Sequence, residues 1–210
     1  MVATSVAEEM VFQQVEMGII QEKYDPEKHY RRSIRLQGYD YTQPGAYFVT
    51  ICTQARACSF GAVADGEMQL NNPGQIAHAA WDTLPARFPS IRLDAFVVMP
   101  NHVHGIIMVG AQFIAPSKGF GTAMNDQGAI NHAPTLGEMV RAYKAASTRF
   151  IRQAGSLDFA WQRNYYEHVV RDEDSLNRIR QYILDNPARW QFDRDNPAAT
   201  TPEPEDAWRA

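Results

Sequence analysis

Apolar residues recur along this chain with two periods, near two in some stretches and near 3.6 in others, and the alternation orders the elements. Ala46 to Thr53, AYFVTICT, is rich in β-branched and aromatic residues and predicts a buried strand. Asn71-Asn72-Pro73-Gly74 predicts a turn; Ile76, Ala80, Leu84 and Phe88 then fall at helical spacing until Pro89. Leu93 to Met99 and His102 to Val109 predict two strands joined across Pro100-Asn101 as a hairpin. Thr135 and Glu138 form a capping box. The helix it opens has apolar positions at Leu136, Met139, Val140, Tyr143, Ala146 and Phe150. Trp161 to Val170 predicts a fourth strand, and Asp172 starts a last helix through Leu176, Ile179, Ile183 and Leu184, ended by Pro187. The order is strand, helix, strand, strand, helix, strand, helix. It predicts an α+β, ferredoxin-like split βαβ fold: a four-stranded antiparallel sheet with helices on one face, plus a C-terminal tyrosine-bearing helix. That fold hosts many functions, so the chemistry has to come from particular residues.

The ends differ from the middle. Residues 1–27 carry six acids against Lys23, a net of −5, and residues 191–210 carry a net of −3. With −4 overall, residues 28–190 stand at +4, compatible with phosphate binding. Residues 1–27 predict an acidic lead, helical or disordered, residues 28–192 the working domain, and residues 193–210 an acidic disordered tail. Residues 111–134, rich in Gly, Ala, Pro and Asn, show no periodicity and predict a long loop. No apolar run approaches the ~18 residues that span a bilayer. Acids stand where a secretory signal has bases, so no export signal is expected and the expected compartment is the cytoplasm. Cys52 and Cys58 make neither a disulfide framework nor a zinc site.

Four clusters could carry chemistry. In Met99-Pro100-Asn101-His102-Val103-His104, strand geometry puts His102 and His104 on one face, their β-carbons about 7 Å apart, within reach of one metal ion. The alternative is two satisfied histidines at a hairpin start. Tyr182 and Asn186 lie four apart on the last helix and share a face, presenting a phenol and an amide oxygen to one point. The alternative is a packed amphipathic tyrosine and an ordinary helix stop. Along Trp161–His168, alternation places Trp161, Arg163, Tyr165 and Glu167 on one face and Gln162, Asn164, Tyr166 and His168 on the other. Rings beside Arg163 and Asn164 suit single-stranded nucleic acid, as they suit a sheet strand with an aromatic core face. Arg31, Arg32 and Arg35 could contact phosphates or form a solvated charge run.

Taken together, RRSIRLQGYDYTQPGAYFVTICTQ, FVVMPNHVHGIIMV, LGEMVRAYKAASTRF and WQRNYYEHVVRDEDSLNRIRQYILDNPARW resemble, in order, the HUH single-tyrosine transposases, in particular the REP-associated tyrosine transposase branch. The resemblance covers about residues 28–192 and implies a metal-dependent enzyme that cuts and rejoins single-stranded DNA. It puts the metal-binding histidines at His102 and His104 and the nucleophile at Tyr182. It puts a polar metal ligand at Asn186, where many relatives have Gln. Tyr143, Tyr165 and Tyr166 are rival nucleophiles, the first at a packing position. Arg31, Arg32, Arg35, Arg163, Asn164 and Tyr166 are the DNA-binding candidates. The implied cofactor is Mg²⁺ or Mn²⁺, and the implied partner is single-stranded or hairpin DNA, met by a monomer or homodimer with no membrane involved. Two other readings stand beside it: an inactive relative that grips structured nucleic acid, and a small metal-dependent hydrolase for which Tyr182 is dispensable.

Overall fold

In the computed structural model, residues 43–110, 134–204 and 208 are described, and all of them fall in one unit, Gln37–Ala210. The acidic lead, Arg31, Arg32, Arg35 and nearly all of the 111–134 loop lie outside them. Strand β1 (Gly45–Cys52) is followed by the β2–β3 hairpin (Gly61–Ala64 and Glu67–Leu70) and helix α1 (Asn72–Asp82). A short helical turn at Leu84–Arg87, separated from α1 at Thr83, precedes strands β4 (Ile91–Val98) and β5 (His102–Val109), and helix α2 (Leu136–Gln153), strand β6 (Tyr166–Val170) and helix α3 (Glu173–Asp185) follow. The four long strands form one sheet in the order β4-β5-β1-β6, antiparallel at every step. This is the expected α+β arrangement, with the first and third strands of the split βαβ unit at its centre.

Alternation along β1 decides what each face of the sheet receives. Tyr47, Val49 and Ile51 point into a core closed by α1 and α2 through Ala77, Trp81, Met139, Val140 and Tyr143. Ala46 and Phe48 point the other way, into a second core with Ile106, Met108, Leu176, Ile179, Ile183 and Trp208. Helix α3 therefore covers the face that α1 and α2 leave open, and with it comes Tyr182. Gly105, on the histidines' own strand β5, faces the first core. A β-carbon there would stand 2.5 Å from the Trp81 ring, which stacks on Phe96 with centroids 4.5 Å apart. The close approach of that indole leaves no side-chain volume at 105.

Four local expectations need correction. The Asn71–Gly74 turn is the start of α1: the Asn71 side chain accepts from the Gly74 N–H at 3.0 Å, and Pro73 occupies the first turn. The hairpin at Gly61–Leu70 was not anticipated. Its Asp65-Gly66 corner has φ of 52° and 78°, the positive pair that a two-residue hairpin turn requires. The fourth strand begins at Tyr166, not Trp161, which makes only a bridge to Thr53. Between them the carbonyls of Gln162 and Asn164 accept from the Lys144 ammonium at 2.8 and 2.9 Å, in place of a strand ladder. Finally, the tail contributes packed side chains: Asp193 and Asp195 are buried, and Trp208 packs beside His168 with ring centroids 4.3 Å apart.

Candidate active site

The site is built on one row of side chains across the sheet. Val97, His104, Thr50 and Tyr166 face one another in register on β4, β5, β1 and β6, and His102 stands opposite Cys52 two pairs further along. Val103, between the histidines, is fully buried in the opposite core. The period of two thus delivers both imidazoles to the α3 face. Both are buried.

Each imidazole is held by its other nitrogen. His102 Nδ1 lies 2.9 Å from Asn101 Oδ1, and His104 Nδ1 lies 2.8 Å from Thr50 Oγ1. The Asn101 amide donates to the carbonyls of Asp195 at 2.7 Å and Arg56 at 3.0 Å, which fixes its oxygen as the end facing His102. His102 Nδ1 is then the protonated nitrogen and its Nε2 lone pair points inward. The two Nε2 atoms stand 3.0 Å apart. Such outward partners are what orient histidines that bind metals.

A carboxylate completes this group. Asp193 Oδ2 lies 3.6 Å from His102 Nε2, and ligand atoms of His102, His104 and Asp193 all fall within 4.8 Å of one another. Asp193 Oδ2 is buried without a hydrogen-bond partner, whereas its Oδ1 accepts from the Asp195 N–H at 2.7 Å. Burial, ahead of any neighbouring charge, pushes the Asp193 carboxyl up to about 6. Burial, with the Arg56 charge second, pulls His102 down to about 3, and burial and then His102 pull His104 well down. The imidazoles are therefore neutral, the form that ligates metal, beside a buried carboxylate with one oxygen unpartnered. Two nitrogens on adjacent corners of an octahedral ion at about 2.1 Å would sit about 3.0 Å apart, so the two imidazoles and the carboxylate fit a divalent cation.

Tyr182 reaches the same place from α3. Its ring centroid is 5.3 Å from that of His104 and 6.2 Å from that of Phe48, edge-on to both. Burial raises its phenol above the ordinary value and Asp193 adds to the rise, while the Asn186 side chain works the other way. Asn186, one helical turn on, is buried with its Oδ1 unpartnered, and it terminates α3. The helix is fixed at this height by Arg180, which donates to both oxygens of Asp94 on β4 at 2.9 and 2.7 Å.

The rival tyrosines are elsewhere. Tyr143 is fully buried in the other core, its hydroxyl donating to the Ala77 carbonyl at 3.2 Å. Tyr165 packs against that same core under the Lys144 ammonium. Tyr166 is on the site's face, edge-on to Phe48 with centroids 6.3 Å apart. Arg163 and Asn164 are exposed, but Trp161 is buried with its indole N–H on Ser147 Oγ at 3.0 Å, so it offers no ring for stacking. Sequence reasoning missed Asp193, Asn101 and Thr50. Register could have found Thr50 opposite His104. Asp193 carried no such signal, because its stretch reads as tail by composition.

No protein-family model matches the chain. It is 41% identical over 176 residues to an uncharacterized protein of Haemophilus influenzae, an alignment covering 82% of this chain and 96% of that one; the two belong to one family. It is 25% identical over 152 residues to a second Haemophilus influenzae protein, named "Putative REP-associated tyrosine transposase", covering 71% of this chain and 74% of the relative. Among solved structures, a REP-associated tyrosine transposase bound to a REP hairpin aligns with 75% of this chain and 74% of its own, at 18% identity and a TM-score of 0.48.

Proposed function

The chain is a relative of the REP-associated tyrosine transposases, and from that premise we propose that it cuts and rejoins single-stranded DNA with the Tyr182 phenol as nucleophile. The observation that carries the reading is the meeting of two elements: the His104 and Tyr182 rings, 5.3 Å apart, beside two imidazole Nε2 atoms 3.0 Å apart. The two inner nitrogens share one face with a buried carboxylate oxygen that has no hydrogen-bond partner, a donor set that suits a divalent cation.

His102, His104 and Asp193 would hold the divalent ion, Mg²⁺ or Mn²⁺, with the Asn186 amide oxygen as a further donor. When bound, such an ion polarises the scissile phosphate and offsets the charge that develops in its displacement. Tyr182 does the covalent work. Its oxygen forms a bond to phosphorus, the bond from phosphorus to the 3′ oxygen breaks, and the proton lost by the phenol is balanced by the one the departing 3′ oxygen takes up. The product is a 5′-phosphotyrosine and a free 3′-hydroxyl. Attack by a 3′-hydroxyl on that link restores a phosphodiester and frees Tyr182, so no nucleotide cofactor is consumed. Asn186 assists by countering the rise that burial imposes on the phenol, and Phe48 packs edge-on against the ring.

The DNA is a single strand bearing a small hairpin, as the family resemblance implies, with Arg163, Asn164 and Tyr166 among the contacts. Incubating the chain with such an oligonucleotide and Mn²⁺ is expected to yield a covalent protein–DNA band, abolished by a chelator. Turnover of the strand without any adduct would replace this reading with that of a metal-dependent hydrolase. Binding without cleavage would leave a DNA-gripping relative.

A further inference from the structure

On the side of the sheet away from Tyr182, the outer face of α2 forms one wall of a groove of about 570 Å³. Segment 160–163 forms the other. Ala145 and Thr148 make a floor of small side chains, and Arg141 and Arg152 stand at its two ends on the same helical stripe. Five of the ten lining residues are basic, Arg141, Lys144, Arg149, Arg152 and Arg163, and none is acidic. In a chain of net charge −4, that is a local reversal of sign.

The five cations divide by task. Lys144 and Arg152 brace the walls: Lys144 donates to the carbonyls of Gln162 and Asn164, and Arg152 Nε to that of Phe159 at 3.0 Å. Arg141, Arg149 and Arg163 are exposed and make no ion pair among the described residues. Arg141 and Arg149 are eight positions apart on the helix, about 12 Å along its axis, with Arg163 on the opposite wall. The 160–163 wall is stitched to the sheet end that carries His102. Gln54 N–H donates to the Ala160 carbonyl and Gln162 N–H to that of Cys52, at 2.8 and 2.9 Å. Thr53 N–H donates to the Asn101 carbonyl at 2.8 Å, next to His102.

We propose that this groove binds the sugar–phosphate backbone of a nucleic-acid single strand through Arg141, Arg149 and Arg163 and leads it round the sheet end toward Tyr182. The inference rests on the reading of the site as a DNA strand transferase. With Trp161 buried, no ring in the groove is free to stack on a base, so recognition here is electrostatic and indifferent to sequence. Guanidinium groups suit phosphate because their forked donors bind two oxygens at once.

The test compares the wild-type chain with the triple variant Arg141→Ala/Arg149→Ala/Arg163→Ala, binding a fluorescent hairpin with a single-stranded flank across a salt titration. Losing three phosphate contacts is expected to flatten the plot of log affinity against log salt by about 2. Affinity at low salt should fall at least tenfold. Thermal unfolding should not move, since all three residues are exposed, and Arg178→Ala on α3 should change neither quantity. The corresponding triple lysine variant should keep most of the slope. An unchanged slope in the alanine variant, with the wild-type chain still binding, overturns the groove and leaves the catalytic reading intact. A loss seen on a blunt hairpin but not on an unpaired oligonucleotide also overturns it. If the wild-type chain binds no oligonucleotide, the catalytic reading fails and the groove with it.

Discussion

Replacing Thr50 by Val removes one hydroxyl from the site and little else. Thr50 is buried in the middle of β1, where a β-branched residue of the same shape keeps the strand packed. The lost contact is the 2.8 Å hydrogen bond between Thr50 Oγ1 and His104 Nδ1, which holds the ring with Nε2 facing His102. A buried N–H stranded in this way costs about 1–3 kcal/mol. In the metal-free protein, however, His104 has an escape. Its proton moves to Nε2, which then donates to His102 Nε2 only 3.0 Å away. The apoprotein should therefore lose less than that. Metal binding should lose more, because the new tautomer points a proton at the cation's place. An outer partner of a ligating histidine is worth 10–100-fold in metal affinity, or about 1.4–2.7 kcal/mol of metal-induced stabilisation at saturating Mn²⁺. For a domain of this size that removes about 3–10 °C of the Mn²⁺-induced rise in Tm. Calorimetric melts of Thr50→Val and wild type, each with Mn²⁺ and with chelator, measure both quantities. An undiminished Mn²⁺-induced rise in the variant would refute the reasoning.

Asp193→Asn should move the same two melts in opposite directions. Removing a buried carboxylate with one oxygen unpartnered raises the apoprotein Tm, and removing a ligand reduces the Mn²⁺ effect. Gly105→Ala forces a methyl group against Trp81 and should lower unfolding stability by about 1–3 kcal/mol in a urea titration, the cost of overpacking. The Arg180 hydrogen bonds hold the Asp94 carboxyl below the usual carboxylate value. A lowered carboxylate contributes stability in full above about pH 4, its unfolded value, and loses it as pH falls through the folded value. Arg180→Met should therefore destabilise the chain at neutral pH and reduce the drop in Tm over the acid range, read from melts between pH 7 and pH 2.5.

What the sequence made legible follows from what one-dimensional patterns encode. Val103 between two histidines is a period of two, and it located the site's face before any topology was known. Thr135 with Glu138, and Asp172 before Ser175, are local hydrogen-bond signatures, and both helix starts stand where they pointed. Tyr182 and Asn186 share a turn by helix geometry alone. Asp193 had no periodic partner. It reaches His102 because residues 190–196 turn back on themselves, with the Asn196 side chain donating to the Trp190 carbonyl at 2.9 Å and Asn101 gripping the Asp195 carbonyl. The second of these is a tertiary bond, invisible in an acidic, proline-rich stretch. Trp161–Tyr165 alternates like a strand, but the Lys144 ammonium takes the carbonyls that a ladder would need.

The most direct measurement is to digest the covalent protein–DNA complex and locate the modified residue by mass spectrometry. The account predicts a nucleotide phosphate on the Tyr182 phenol of the wild-type chain, and intact hairpin binding with no adduct in Tyr182→Phe. Phosphate on Tyr143, Tyr165 or Tyr166, or an adduct that survives Tyr182→Phe, would contradict it.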